Sequence, residues 1–113
     1  MGPMLIAPTE QTAWRVDVEG LHLWLTRRWG DIERRAGSTD QRADEWHWRD
    51  GYDLWVPRDR ESTWIAADWP RISAVAAWLS NGCNEHLVLC DESYSNVTHL
   101  EGMTEQKLLA LSN

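Results

Sequence analysis

The chain has 113 residues, of which 42% are hydrophobic and 26% charged, the composition of a folded domain and not of a disordered one. This length favours a single small acidic domain over residues 1–113, with a core that needs neither a disulfide nor a metal. No apolar run is long enough to span a bilayer, and the opening segment lacks the basic residues of a secretory signal. We therefore expect a cytoplasmic protein that does not bind membranes.

The formal net charge of −7 is unevenly distributed. Residues 27–60 balance eight arginines with eight carboxylates, whereas residues 61–113 carry seven carboxylates against Arg71 and Lys107, a net charge of −5. A negative field repels phosphate backbones, so we expect no nucleic-acid partner. The same field favours association with a basic surface of another protein.

The first predicted element is a β-hairpin over about residues 12–27. Apolar residues alternate with polar ones on both sides of Glu19-Gly20, and folding the segment there gathers the apolar side chains on one face. Trp24 would then lie on the polar face beside His22. The apolar face would consist of Trp14, Val16, Val18, Leu21, Leu23 and Leu25.

Residues 30–44 are polar, lack a sustained apolar period and include Gly37-Ser38. They predict an exposed loop, with at most one short helical turn around Ile32. A solvated connection is the simpler interpretation of this loop, and a functional loop is the alternative.

The stretch EWHWRDGYDLW predicts a second hairpin, over about residues 45–57. Asp50-Gly51 is a favoured pair for a two-residue type I′ turn, which would place Trp46 opposite Trp55 and Trp48 opposite Asp53. Such a ribbon is marginal in isolation, so at least one of these three tryptophans should be buried.

A helix is predicted over about residues 69–81. Asp68 is suited to the N-cap, Pro70 to the first turn and Asn81-Gly82 to the C-terminal end, and the apolar residues recur at helical spacing. Short strands are predicted at STWIAA and EHLVLC. A short C-terminal helix, from about Thr104 to Leu111, should turn Leu108 and Leu111 inward.

These elements define an α+β fold, a mostly antiparallel sheet with the long helix and the short C-terminal helix packed on it. The expected core combines the first hairpin, the long helix and the EHLVLC strand. Its members are Trp14, Val16, Leu23, Leu25, Ile72, Val75, Leu79, Leu87 and Leu89.

The sequence offers little for catalysis or metal binding. The histidines and the two cysteines lack the spacing of zinc ligands, and no nucleophile-elbow, Walker or dinucleotide glycine motif occurs. We expect reduced thiols, no cofactor, no metal site and no catalytic residue. The competing hypothesis is a small enzyme that uses Cys83 and His86.

The profile of small size, acidity, nine tryptophans and no catalytic motif is typical of small inhibitors, such as toxin-immunity proteins or phage proteins that block a host defence enzyme. This is a likeness of type and not of sequence. It predicts a non-enzymatic bacterial or phage antagonist that occludes a basic surface of a target protein, with tryptophans as anchors. A carbohydrate-binding module that uses Trp46, Trp48 and Trp55 is an alternative, and a homodimer through the same tryptophans stays open. The predicted partner-binding residues are His22, Trp24, Trp48, Asp53, Trp55, Asp91 and Glu92.

Overall fold

Residues 2–112, which the computed structural model describes, form seven strands and three helices. The strands are β1 Met4–Pro8, β2 Ile32–Ala36, β3 Asp44–Trp48, β4 Asp53–Val56, β5 Thr63–Ala66, β6 Leu87–Asp91 and β7 Thr98–His99. The helices are α1 Val18–Arg28, α2 Trp69–Asn81 and α3 Glu105–Leu109, the last followed by a 3-10 turn, Ala110–Ser112. The predicted α+β class with a mostly antiparallel sheet is confirmed.

All seven strands belong to one sheet in the order β2-β3-β4-β5-β1-β6-β7, and every neighbouring pair is antiparallel. Strand β1, for which the sequence predicts no element, lies inside the sheet between β5 and β6. Its five residues, MLIAP, do not alternate, and both partner strands are more than fifty residues away in the sequence. Local pattern therefore gave no sign of its pairing.

Alternate side chains of the strands form an inner face on which the helices pack. Trp46 pairs with Leu54, Leu54 with Ile65, and Ile6 with Leu89, and all five side chains are completely buried. The helices complete this core with Val18, Leu21, Leu25, Ile72, Val75, Leu79 and Leu108. The opposite face of the sheet, called the outer face below, carries Leu5, Glu45, His47, Asp53, Trp55, Trp64, Val88 and Cys90.

The long helix is confirmed at Trp69–Asn81. Asp68 is its N-cap and accepts a hydrogen bond from the backbone N–H of Arg71, Pro70 occupies the first turn, and Gly82 is the C-cap. The strands predicted at STWIAA and EHLVLC correspond to β5 and β6. The short C-terminal helix is also confirmed and begins after the N-cap Thr104.

The hairpin predicted over residues 12–27 is wrong. Residues 18–28 form α1, with Asp17 as N-cap accepting a hydrogen bond from the N–H of Gly20, the residue assigned to the turn. Val18, Leu21 and Leu25 are buried at spacings of three and four, the periodicity of a helix face. Leu21 and Leu25 fit both the alternation of a strand and the spacing of a helix. Leu23 would be buried only in a strand, and in the structure it is 55% exposed.

The predicted hairpin over residues 45–57 is confirmed as β3 and β4, but its register differs by one residue. Trp46 pairs with Leu54, not with Trp55, and His47 pairs with Asp53. The connecting loop has three residues, 49–51, in place of two. Gly51 donates its N–H to the carbonyl oxygen of Trp48, which closes a turn, and its φ of +101° then returns the chain to β4. This shift buries Trp46 and places Trp55 on the other face of the sheet.

Residues 30–44 are only partly a loop, because Ile32–Ala36 is the edge strand β2 and not a helical turn. The three central residues of its sequence, IERRA, are charged, so β2 lacks the alternation of apolar and polar residues that would indicate a strand.

Leu111 is 54% exposed and does not face inward. Trp14 is half-buried against the core, and the other expected core residues apart from Leu23 are buried: Val16, Leu25, Ile72, Val75, Leu79, Leu87 and Leu89.

Candidate partner-binding site

Four tryptophans form a continuous aromatic chain from α2 through α1 to β3. Trp78 stacks on Trp24 with ring centroids 5.2 Å apart, and Trp24 meets Trp29 edge to face at 5.5 Å. Trp29 meets Trp48 in the same manner at 5.4 Å. The placement of Trp24 on an exposed hairpin face is therefore wrong, because residue 24 lies on a helix and its half-buried ring joins two helices.

The tryptophans of the EWHWRDGYDLW stretch are all packed. Trp46 is completely buried and its indole N–H donates to Nδ1 of His22, 3.2 Å away, while Trp48 is 2% exposed. The prediction that at least one of these rings is buried is confirmed. Trp46 and Trp48 offer no surface to a sugar or a partner, and His22 is engaged by Trp46.

Trp55 and Asp53, both expected at the partner surface, lie on the outer face in a network of their own. The Arg42 guanidinium carbon lies 3.7 Å from the centroid of Trp55, and the same side chain forms ion pairs with Glu45 and Asp53 at 3.2 and 3.0 Å. Trp64 stacks parallel to Trp55 at 6.3 Å. Trp55 is thus 9% exposed, and the charge of Asp53 is compensated within the chain.

Asp91 organises the loop that follows β6. Its carboxylate accepts hydrogen bonds from the backbone N–H groups of Ser93 and Ser95 and from the Asn96 side-chain amide, at 2.8 to 3.1 Å. The bond from Ser95, followed by those from Ser93 and Asn96, holds the pKa of Asp91 well below its usual range. Its oxygens are therefore occupied, whereas the neighbouring Glu92 is exposed.

The seven predicted partner-binding residues consequently fall in separate parts of the molecule. His22, Trp24 and Trp48 belong to the helical side, Asp53 and Trp55 to the outer face, and Asp91 and Glu92 to the end of β6. The structure does not bring them together into one surface.

A groove of about 480 Å³ lies between the segment that precedes α1 and the end of α2. Trp14 and Trp78, both half-buried, are among its walls, together with the carboxylates of Asp17 and Glu85 and the thiol of Cys83. We call these five residues the tryptophan groove. Its two halves are more than sixty residues apart in sequence, and the incorrect hairpin placed Trp14 wholly in the core, so sequence reasoning missed it.

One cation, Arg15, also lines the groove, and it is engaged by the chain itself. Arg15 pairs with Glu61 at 3.3 Å and donates to the carbonyl oxygens of Thr12 and Trp14 at 3.0 and 2.8 Å. Asp17 accepts from the N–H of Gly20, and among residues 2–112 neither its carboxylate nor that of Glu85 has an ion pair. The groove therefore combines indole surfaces with two carboxylates that form no ion pair, beside an arginine that is paired with Glu61.

The same imbalance extends over the surface. Seven of the ten arginines form ion pairs within the described chain: Arg15, Arg28, Arg34, Arg35, Arg42, Arg58 and Arg71. The exposed carboxylates of Glu10 and Glu92 and the half-buried one of Glu85 have no such partner there. The cationic side chains are thus mostly neutralised, and the excess negative charge stays on the surface.

Cys83 and His86 line the same surface depression, but among the described residues no hydrogen bond joins the thiol to the imidazole. The sulfur of Cys83 contacts the backbone oxygens of Ser80 and Glu85 at 3.7 and 3.5 Å. Both ring nitrogens of His86 contact other side chains, Glu101 and His99. The second thiol, Cys90, is buried, and burial raises its pKa.

Within the described part of the chain, no group of three or more histidine, cysteine, aspartate or glutamate side chains is arranged to hold a metal ion. None of the helices there combines the length and the apolar character needed to cross a bilayer. Comparison with known proteins assigns no family, because no family model, no curated protein and no solved structure matches the chain.

Proposed function

We propose that this protein is a non-catalytic binding protein that antagonises another protein by occluding a basic surface. The observation that carries the proposal is the tryptophan groove, in which Trp14 and Trp78 stand beside the carboxylates of Asp17 and Glu85, neither of which forms an ion pair within residues 2–112. Tryptophan is a favoured anchor at protein interfaces, and its ring face attracts cations. A lysine or arginine side chain of the target would satisfy both features of the groove.

The net charge supports the same function at longer range. A chain of charge −7 whose arginines are mostly paired internally presents a negative field that accelerates encounter with a basic protein. This mode of action is that of immunity proteins and of phage proteins that block defence enzymes. We place the protein in the cytoplasm, a setting compatible with its two free thiols, Cys83 and Cys90.

The test uses a charge-neutral variant that preserves the fold. Asp17→Asn keeps an N-cap acceptor for α1, and Glu85→Gln keeps the length of the side chain, so the double variant removes two charges without removing a cap. The control, Asp31→Asn with Glu33→Gln, removes two charges at the start of β2, in a different surface depression, where Glu33 is paired with Arg35. Both variants and the wild type would be used to capture partners from an extract of the host.

Binding of the purified partner would then be measured by surface plasmon resonance over a range of salt concentrations. We expect a basic partner whose activity falls on binding, an association rate that decreases as salt increases, and about tenfold weaker binding for the groove variant than for the control, since lost interfacial charge acts mainly on association. Equal binding by the two variants, or a partner whose activity is unaffected, would contradict the proposal.

A further inference from the structure

Two histidines and a glutamate meet where β6 begins and β7 ends. Nε2 of His86 lies 2.8 Å from Nδ1 of His99, and Nδ1 of His86 lies 3.0 Å from Oε2 of Glu101. The β6–β7 register pairs Val88 with His99, which places His99 on the outer face of the sheet, and residues 86 and 101 lie just beyond the ends of these two strands. All three side chains are open to solvent, with His86 38% and Glu101 78% exposed.

The hydrogen bonds fix which nitrogen of His86 is available. A carboxylate only accepts, so Nδ1 of His86 carries the proton that it donates to Glu101, and Nε2 of neutral His86 presents a lone pair. His99 then donates to this lone pair from its own Nδ1. Nε2 of His86 and Nδ1 of His99 thus share one proton, and a metal ion could take the place of that proton between the two nitrogens.

We propose that His86 Nε2 and His99 Nδ1 form a two-histidine chelate for a divalent transition metal ion of the Ni²⁺ or Cu²⁺ type, with water in the remaining positions. Two nitrogens bound at right angles with metal–nitrogen bonds of about 2.0 to 2.1 Å are about 2.8 to 3.0 Å apart, close to the present separation. Tetrahedral geometry would require about 3.3 Å, so the spacing suits square-planar or octahedral ions better than Zn²⁺.

Binding needs a modest rearrangement and no oxidant or reductant. The exposed rings rotate so that both lone pairs face the ion, and neutral His99 carries its proton on Nε2 in place of Nδ1. Glu101 is the positioning residue, because its hydrogen bond to Nδ1 holds His86 in the tautomer that coordinates through Nε2. A bound ion would join the start of β6 to β7, the two-residue strand at the sheet edge.

The experiment is calorimetric titration of the full chain with Ni²⁺ alone, near neutral pH and at physiological ionic strength. We expect one site per chain, affinity at least tenfold weaker in both His86→Ala and His99→Ala, and a wild-type melting temperature that rises with Ni²⁺. Glu101→Ala should weaken binding about 10- to 100-fold, and Glu101→Gln, which retains an acceptor, should restore part of the loss.

Two controls separate this chelate from other donors. His47→Ala removes a histidine on β3, and Cys83→Ser removes the nearby thiol, and both should bind Ni²⁺ as the wild type does. Melting temperatures without metal report whether each variant is folded. Wild-type affinity in either His86→Ala or His99→Ala, or no heat of binding in the wild type, would overturn the proposal.

Discussion

Tryptophan serves this chain as the large core residue that phenylalanine provides elsewhere, and two of the indoles donate their N–H to an acceptor inside the fold. Trp46 is completely buried and donates to His22, and Trp69 donates to the carbonyl oxygen of Leu108 at 2.9 Å. Burial of an aromatic in the EWHWRDGYDLW stretch could be predicted, because a lone ribbon is too weak to stand in water. The partner of Trp46 could not, since residue 22 was assigned to a strand and lies on a helix.

At the same scale, Asp91 predicts a pH dependence. Its pKa is lowered by hydrogen bonds from Ser95, Ser93 and Asn96, so its ordering of the loop is fully present above the usual pKa of 3.8 and is lost as the pH falls through the lower folded value. We expect the amides of Ser93 and Ser95 to stay protected from hydrogen exchange down to strongly acidic pH. Asp91→Ala should lose this protection at neutral pH.

Hydrogen-exchange mass spectrometry, corrected for the intrinsic effect of pH, measures this protection. Glu92→Ala is the matched control, because it removes the adjacent, exposed carboxylate and should leave the loop amides unchanged. Equal exchange in Asp91→Ala and the wild type at neutral pH would show that the backbone holds the loop without the carboxylate.

Among the elements, α2 and the β3–β4 hairpin could be predicted from their cap and turn signals, and β5 and β6 from their apolar runs, whereas β1, β2 and α1 could not be predicted. Helix α2 has Asp68, Pro70 and Gly82 at its ends, and the β3–β4 hairpin has Gly51 in its loop. Strand β1 shows no alternation of apolar and polar residues, and β2 is mostly charged. Both segments are strands because they pair with other strands in the folded sheet, which the local sequence does not reveal. For α1, apolar residues at 21 and 25 fit a strand as well as a helix, and only packing distinguishes the two.

The helical assignment changes the expected role of Trp24. If Trp24 lay on the exposed face of a hairpin, its replacement by alanine would leave the stability of the protein unchanged. In the structure, however, the Trp24 ring stacks on Trp78 and contacts Trp29. We expect Trp24→Ala to lower the free energy of unfolding, by less than the roughly 3 to 5 kcal/mol typical of a fully buried tryptophan such as Trp46. A double-mutant cycle with Trp78→Ala should give a coupling of about 0.5 to 1.5 kcal/mol.

Urea unfolding of the four proteins in this cycle supplies the measurement. Tyr94→Ala is the control, because that side chain is 64% exposed and should be close to neutral. A Trp24→Ala variant as stable as the wild type would mean that the aromatic chain between the helices contributes nothing to the fold.

For the whole molecule, charge could be predicted and the shape of the site could not. The excess of carboxylates in residues 61–113 is a property of composition, and it persists as unpaired surface carboxylates in the structure. The tryptophan groove is assembled from residues 14–17 and 78–85, which meet only because α1 and α2 pack on the same face of the sheet. With the first hairpin misassigned, no sequence pattern could bring these segments together.

The net charge of −7 predicts how stability responds to salt. Exposed ion pairs such as Arg58–Asp40, whose side chains are 73% and 81% exposed, contribute little, while repulsion among the surplus carboxylates acts across the whole surface. Because about 0.1 M salt screens charges beyond roughly 10 Å, we expect the melting temperature at neutral pH to rise by a few degrees between low and moderate salt.

Thermal unfolding in sodium and potassium chloride measures this response and separates screening from effects of one cation. Near the sequence pI of about 4.9 the repulsion is balanced, and the rise should vanish. A melting temperature that falls with salt at neutral pH would show instead that the arginine ion pairs outweigh the repulsion.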